Sequence, residues 1–394
     1  MTIFFITCFT AFLITFFVIP RVIKIVKIKK LFDTPNKRSA HTANTPTMGG
    51  IGIFFGVVIS TLIQGPAFFL QEMHLVLCGL MVIFLIGLSD DLIAISPYQK
   101  LGAQFVAAMF LVAVDIRLTS FYGVFGIYEL PDLLSIPFTL LFVVFIINSF
   151  NLIDGINGLA GSIILVVSIL YGVWFFLIGQ VALALLAFAI VGSVSAFLYY
   201  NFSPALVFMG DSGSMVLGFF MAILSIQFLE NHSLLAQSNY CFAAFPAVAF
   251  GLLIIPVFDT LRIFFLRIIN GKPPLQADKN HLHHLLVKIG HSHSRTTFTL
   301  VGINIGFILF AISFQFIGAT FLIIAQLILA IFLTAILVRK VKLSHSPQSK
   351  PKKPKRLKRQ SFSEHKILRP HNFKLISGSS EELQPRDTEI FEQS

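Results

Sequence analysis

The sequence predicts an all-α, polytopic integral membrane protein of about eleven transmembrane helices, and three observations predict it. Hydrophobic residues make up 56% of the chain and charged residues 12%, with a mean hydropathy of +0.86. A soluble domain carries roughly 25% charged residues. Apolar runs of the length a bilayer needs recur along most of the chain. The 29 Lys and Arg are sorted between alternate loops, as the positive-inside rule requires.

The first run, residues 3–19, has no basic residue ahead of it and is followed by Pro20, Arg21, Lys24, Lys27, Lys29 and Lys30. A signal peptide carries its charge before the apolar core, so this run reads as a retained helix with its N-terminus outside and its basic end in the cytoplasm. Further runs lie near 51–70, 73–89, 102–118, 133–149, 160–178, 181–199, 214–229, 241–258, 298–317 and 319–338. Eleven crossings put the C-terminus in the cytoplasm. The charges agree: seven basic residues fall in the first loop, Lys100 in the next cytoplasmic turn, six between 262 and 295, and fourteen after 338, which leaves only Arg117 outside. Cys8, Cys78 and Cys241 lie in or at the ends of apolar runs without metal spacing, and no disulfide is expected.

This topology places four polar clusters on the cytoplasmic side. Asp211, in FMGDSGSMVLG (208–218), is a carboxylate at a bilayer edge, which costs a few kcal/mol unless paired, hydrated or cation-bound. It reads either as a site residue or as a cap on the next helix. Asp90 and Asp91 end the third run; adjacent carboxylates repel, so they share a divalent cation or simply form a hydrated helix end. Asn151, Asp154 and Asn157 recur every three residues among glycines that permit close backbone approach to a ligand. His281, His283 and His284 follow the longest polar loop. Lys272, Lys279 and Lys288 nearby favour phosphate contact over a zinc site or a plain helix surface. Hard oxygen ligands suit Mg²⁺ or Mn²⁺, and basic groups suit phosphates. Gathered at one membrane face, they suit phosphoryl transfer from a water-soluble nucleotide to a membrane-embedded acceptor. A transporter, the alternative of another class, needs ionisable groups spread through the depth of the spans, and these spans lack them. The sequence speaks against a CDP-alcohol phosphotransferase, because Asp154-Gly155 is not followed by that signature's arginine.

PTMGG (46–50), SDD (89–91) with Lys100 downstream, NLIDGINGLAG (151–161), NFSPALVFMGDSGS (201–214) and DKNHLHHLL (278–286) occur in one order over residues 1–340. On these motifs the chain resembles the polyprenyl-phosphate N-acetylhexosamine-1-phosphate transferase family, and within it the UDP-N-acetylglucosamine:undecaprenyl-phosphate branch. The resemblance implies that Asp211 is the principal ligand of Mg²⁺ or Mn²⁺ with Asp91 and Asp90 beside it, one of that pair being the base. It implies that Lys100 contacts the lipid phosphate, that Asn151, Asp154, Asn157 and Asn201 bind the nucleotide sugar with Gly49 and Gly50 near the nucleotide, and that His281, His283 and His284 lie near the pyrophosphate. Ala94 and Asn157 stand where many relatives carry charged groups, so any role of those charges is absent or moved. The motif HLHH, without three consecutive histidines, favours an unsubstituted sugar donor over UDP-MurNAc-pentapeptide, the substrate of the peptidoglycan branch.

The expected reaction joins N-acetylhexosamine-1-phosphate from a UDP-sugar to undecaprenyl phosphate and releases UMP, the first lipid-linked step of an envelope polysaccharide such as O-antigen, common antigen or a teichoic-acid-type polymer. The expected setting is the bacterial cytoplasmic membrane, with no nucleic-acid partner and with room for a homodimer. Residues 1–340 are the expected transferase domain. Residues 341–394, basic and without apolar periodicity, are an expected disordered cytoplasmic tail lying on anionic lipid.

Overall fold

The computed structural model describes residues 1–29, 45–64, 74–202, 204–235, 240–271 and 280–344. Its helices are α1 (Thr2–Lys29), α2 (Gly49–Gln64), α3 (His74–Leu92), α4 (Pro97–Ala113), α5 (Asp132–Ile153), α6 (Leu159–Leu177), α7 (Val181–Asn201), α8 (Gly210–Leu234), α9 (Phe245–Leu252), α10 (Ile254–Ile269), α11 (Leu282–Lys288), α12 (His293–Ser313) and α13 (Ala319–Ser344). Among the described residues there is no strand, only an isolated bridge between Ser120 and Glu129.

Every apolar run read from the sequence holds a helix. Eight of these helices are long and apolar enough to cross a membrane, namely α1, α3, α5, α6, α7, α8, α12 and α13. α2 and α4 are shorter, at 16 and 17 residues. The run expected as one span over 241–258 is instead a broken pair, α9 and α10, bent by 79°. Pro256 supplies the cause. Proline lacks an N–H and its ring clashes with the carbonyl four residues back, which here belongs to Leu252. That carbonyl accepts from Asn304 Nδ2 at 3.2 Å instead. The same remedy recurs in α1, where Pro20 frees the Phe16 carbonyl and Tyr200 Oη donates to it at 3.1 Å. A bilayer interior offers no water to satisfy such groups, so side chains from neighbouring helices do it.

α8 is the hub, packed against α2, α3, α5, α6 and α9. Of its most apolar 18-residue window 94% is buried, against 28% for α1 and 17% for α13, which lie at the lipid-facing rim. α1 packs on α2 and α7, and α7 on α6. The tail expected from 341 onward lies outside the described residues beyond Ser344, as do Lys272 and Lys279.

Candidate active site

The site forms where the ends of five helices meet the start of α8. Gly210 opens that helix at φ 74°, a left-handed conformation that a side chain would strain, and a Cβ there would collide with the Thr47 carbonyl and the Asp91 carboxylate. Backbone pairing fixes the approach: Gly49 N donates to Phe208 O and Gly50 N to Met209 O, both at 2.9 Å. These two glycines, expected near the nucleotide, thus hold the segment that leads into Asp211. α4 is aimed by a capping box, in which Ser96 Oγ accepts from Gln99 N at 3.3 Å and Gln99 Oε1 from Ser96 N at 3.1 Å, with Pro97 at the first helical position. The cap puts Lys100 in the first turn, facing the end of α3.

Lys100 Nζ bridges two carboxylates from different helices, Asp90 at 2.6 Å and Asp211 at closer range. Asn151 Nδ2, from the end of α5, donates to the other Asp211 oxygen at 3.0 Å and to Ser214 Oγ at 2.9 Å. Asp91 does something different. Its oxygens accept from Asp211 N at 2.7 Å, Ser212 N at 3.1 Å and Ser212 Oγ at 2.6 Å. It therefore caps α8 from another helix, adding a negative charge to the positive end of the helix dipole. Asp90 Oδ1 accepts from Ile95 N at 2.7 Å. The three acids share one neighbourhood, but Asp90 and Asp211 meet at a single positive charge while Asp91 fixes the backbone that carries Asp211.

Among the described residues no set of three His, Cys, Asp or Glu is arranged as a preformed metal cage. A hard divalent cation nonetheless fits here. Two carboxylates converge on one ammonium, and all-oxygen donors with room for substrate phosphates are what Mg²⁺ or Mn²⁺ takes. Asp154 lies just past the end of α5, where burial and then the charges of Asp211 and Asp91 raise its carboxyl well above the ordinary carboxylate range.

The loop after α5 joins this cluster to the histidines. Gly155 lies so close to the His283 ring that a Cβ would strike it. Asn201 Oδ1 accepts from Gly158 N at 2.6 Å and its Nδ2 donates to Val207 O at 2.9 Å, so this residue is spent on holding the loop. Thr297 Oγ1 donates to Asn157 O at 2.8 Å. Asn157 Oδ1 and both ring nitrogens of His283 are buried without a hydrogen-bond partner among the described residues. Burial, then the neighbouring His284, push His283 down to about 3, so its ring is neutral at ordinary pH. The three histidines face one another, with ring centroids 4.2 Å apart for His283 and His284 and 5.8 Å for His281 and His283.

Sequence reasoning missed Asp259. It is fully buried in α10, where it accepts from His281 Nδ1 at 2.9 Å and from Arg262 at 2.7 Å. An aspartate inside an apolar run, with arginine three residues on, was the available signal.

A many-spanning helical bundle that gathers carboxylates, a lysine and an amide from separate helices at one helix start, with an imidazole against the adjoining loop, presents the groups that a membrane-embedded transferase uses on phosphorylated substrates. The sequence profile of Glycosyl transferase family 4 matches residues 73–229. The chain is 33% identical, over 78% of its length and 83% of the relative's, to a probable undecaprenyl-phosphate N-acetylglucosaminyl 1-phosphate transferase of Bacillus subtilis (strain 168). It is 31% identical to a decaprenyl-phosphate N-acetylglucosaminephosphotransferase of Mycolicibacterium smegmatis, over 70% of this chain and 73% of that one. It is 29% identical to an undecaprenyl-phosphate alpha-N-acetylglucosaminyl 1-phosphate transferase of Escherichia coli (strain K12), over 71% and 74%. The chain belongs to glycosyl transferase family 4.

Proposed function

We propose that this protein transfers N-acetylglucosamine-1-phosphate from UDP-N-acetylglucosamine to undecaprenyl phosphate at the cytoplasmic face of a bacterial inner membrane. An oxygen of the lipid phosphate attacks the β-phosphorus of the donor, a new P–O–P linkage forms, and the bond from the β-phosphorus to the bridging oxygen breaks. UMP leaves with that electron pair. The observation that carries the reading is the meeting of Asp90, from α3, and Asp211, from α8, at the Lys100 ammonium.

Asp211, with Asp90 beside it, would hold Mg²⁺ or Mn²⁺, which offsets negative charge on the pyrophosphate and on departing UMP. Lys100 pairs with the lipid phosphate and favours its ionised, attacking form. Asp91 accepts three bonds from the start of α8, whereas Asp90 meets the ammonium that pairs with the lipid phosphate, so the proton-accepting role expected of the adjacent pair is assigned to Asp90. Asp91 is a positioning residue. The unpartnered Asn157 Oδ1 and His283 nitrogens supply polar groups for the donor, since a buried polar atom left without a partner costs about 1–3 kcal/mol. Their contact with the loop that carries Asp154 sets the donor beside the acidic cluster.

The test is purified full-length protein with undecaprenyl phosphate, Mg²⁺ and a panel of UDP-sugars, scored for UMP release. UDP-N-acetylglucosamine is expected to be used and UDP-MurNAc-pentapeptide refused. The opposite ranking would move the chain to peptidoglycan synthesis, and no release from any UDP-sugar would overturn the reading.

A further inference from the structure

Asp259 lies in α10, in the second turn after the 79° bend, on a buried face that is otherwise mostly apolar. Asp259 and Arg267 are buried, while Phe265, Ile268 and Ile269 are about two-thirds exposed. A fully buried carboxylate is costly unless hydrogen bonds satisfy it, and here donors surround it. Asp259 Oδ2 accepts from His281 Nδ1 at 2.9 Å and from Leu282 N at 3.1 Å. Oδ1 accepts from Leu282 N at 3.2 Å and from an Arg262 guanidinium nitrogen at 2.7 Å. The same Arg262 nitrogen donates to the Asn280 carbonyl, one residue before the histidine motif.

We propose that Asp259 is a positioning residue of the transfer reaction: it holds the His281 ring in the Nδ1–H tautomer and orientation that turn Nε2 to the phosphates of the donor. The inference rests on the proposed function for what His281 meets, and on geometry alone for the tautomer. Because every neighbour of the carboxylate is a donor, Nδ1 carries its proton whatever the charge of the ring, and Nε2 is the nitrogen that can engage a ligand. An asparagine cannot substitute. In either orientation its amide N–H₂ faces an existing N–H, from His281 and Leu282 or from Arg262 and Leu282. Asp259 serves as the carboxylate of a carboxylate–histidine pair does elsewhere, where its loss costs activity through the wrong tautomer.

The experiment is a double-mutant cycle on kcat/KM for UDP-N-acetylglucosamine, using Asp259→Asn, His281→Ala and both, with full-length protein. Asp259→Asn is expected to lose about 10–100-fold, and the double variant to lose no more than His281→Ala alone. Losses that multiply, or an unchanged Asp259→Asn, would overturn the proposal, since a merely structural acid acts independently of the imidazole. Should Asp259→Asn fail to fold, ¹⁵N solid-state NMR of histidine-labelled, unsubstituted protein reads the tautomer directly. Protonated Nδ1 on His281 is expected, and a bare Nδ1 would overturn the proposal. That spectrum is independent of the substrate, so failure of the UMP assay and failure of the positioning role are told apart.

Discussion

Both ends of α4 lead to a basic residue that bridges two aspartates, and only one of the two arrangements is built as a site. At its start, Lys100 meets Asp90 and Asp211, with side-chain exposures of 24%, 17% and 24%. Beyond its end, Arg117 meets Asp115 and Asp132 at 2.6 and 2.5 Å, but those acids are 80% and 78% exposed. The Arg117 partners come from neighbouring sequence and tie a loop together. The Lys100 partners come from two other helices, one of them 111 positions away. Exposed pairs of the first kind contribute about 0–1 kcal/mol. Holding two carboxylates together away from water is unfavourable without a cation, so a bundle that assembles such a pair from separate helices does so for chemistry. Even the tighter contacts of the Arg117 end, where Glu230 accepts from Thr119 N at 2.7 Å and Tyr122 Oη at 2.5 Å, anchor a loop onto α8.

The largest effect is expected from Asp211→Asn. It should abolish the Mg²⁺-dependent part of donor binding in titrations with and without the metal, and lower turnover toward the upper end of about 10²–10⁴-fold. Normal metal-dependent binding in this variant would remove Asp211 as the cation's holder and erase the contrast between the two ends. Asp90→Asn should keep donor binding and lose about 10²-fold or more in single-turnover UMP release. Asp91→Ala separates positioning from chemistry: loss of the cap should cost about 1–2 kcal/mol in thermal unfolding, and turnover should fall because Asp211 is no longer fixed. A full loss of rate with unchanged stability would make Asp91 a reacting group.

A smaller effect concerns pH. The Asp154 carboxyl is raised in the folded protein, so the native state binds its proton more tightly than the unfolded chain does. Stability from this group is therefore present at low pH and lost as pH rises from about 4, the unfolded value, through the raised folded value. Melting temperature of Asp154→Asn minus that of the unsubstituted protein should grow with pH over this window, and Mg²⁺ should shrink the difference. A flat difference would show that the Asp154 carboxyl is not raised in the folded protein.

Much of this contrast is legible in the sequence. Asp211 between two glycines at a polar-to-apolar switch marks the start of the most buried helix, and Asp90, Asp91 and Lys100 stand out because charges are rare in this chain. Positive charge on alternate loops separates Arg117 from the other basic residues by topology alone. What stays hidden depends on partners distant in sequence. That Asp91 caps α8 while Asp90 faces Lys100 follows from helix-end geometry, which adjacent identical residues cannot reveal. Asn201 reads as a donor contact and is occupied by Gly158 N and Val207 O. The 79° bend escapes hydropathy, which does not register a proline's effect on Leu252, although Pro256 itself is in plain view. Asp259 stands out in the sequence only as a charge among apolar residues, and its burial and its bond to His281 show that it belongs with the histidines.

The most direct test of the difference between the two ends is single-turnover UMP release from UDP-N-acetylglucosamine by Lys100→Met beside Arg117→Met, each at saturating undecaprenyl phosphate and Mg²⁺. Lys100→Met is expected to fall by about 10²–10⁴-fold while Arg117→Met stays within about twofold of the unsubstituted protein. Equal rates for the two variants, or a larger loss in Arg117→Met, would contradict the assignment of the reaction to the Asp90–Lys100–Asp211 cluster.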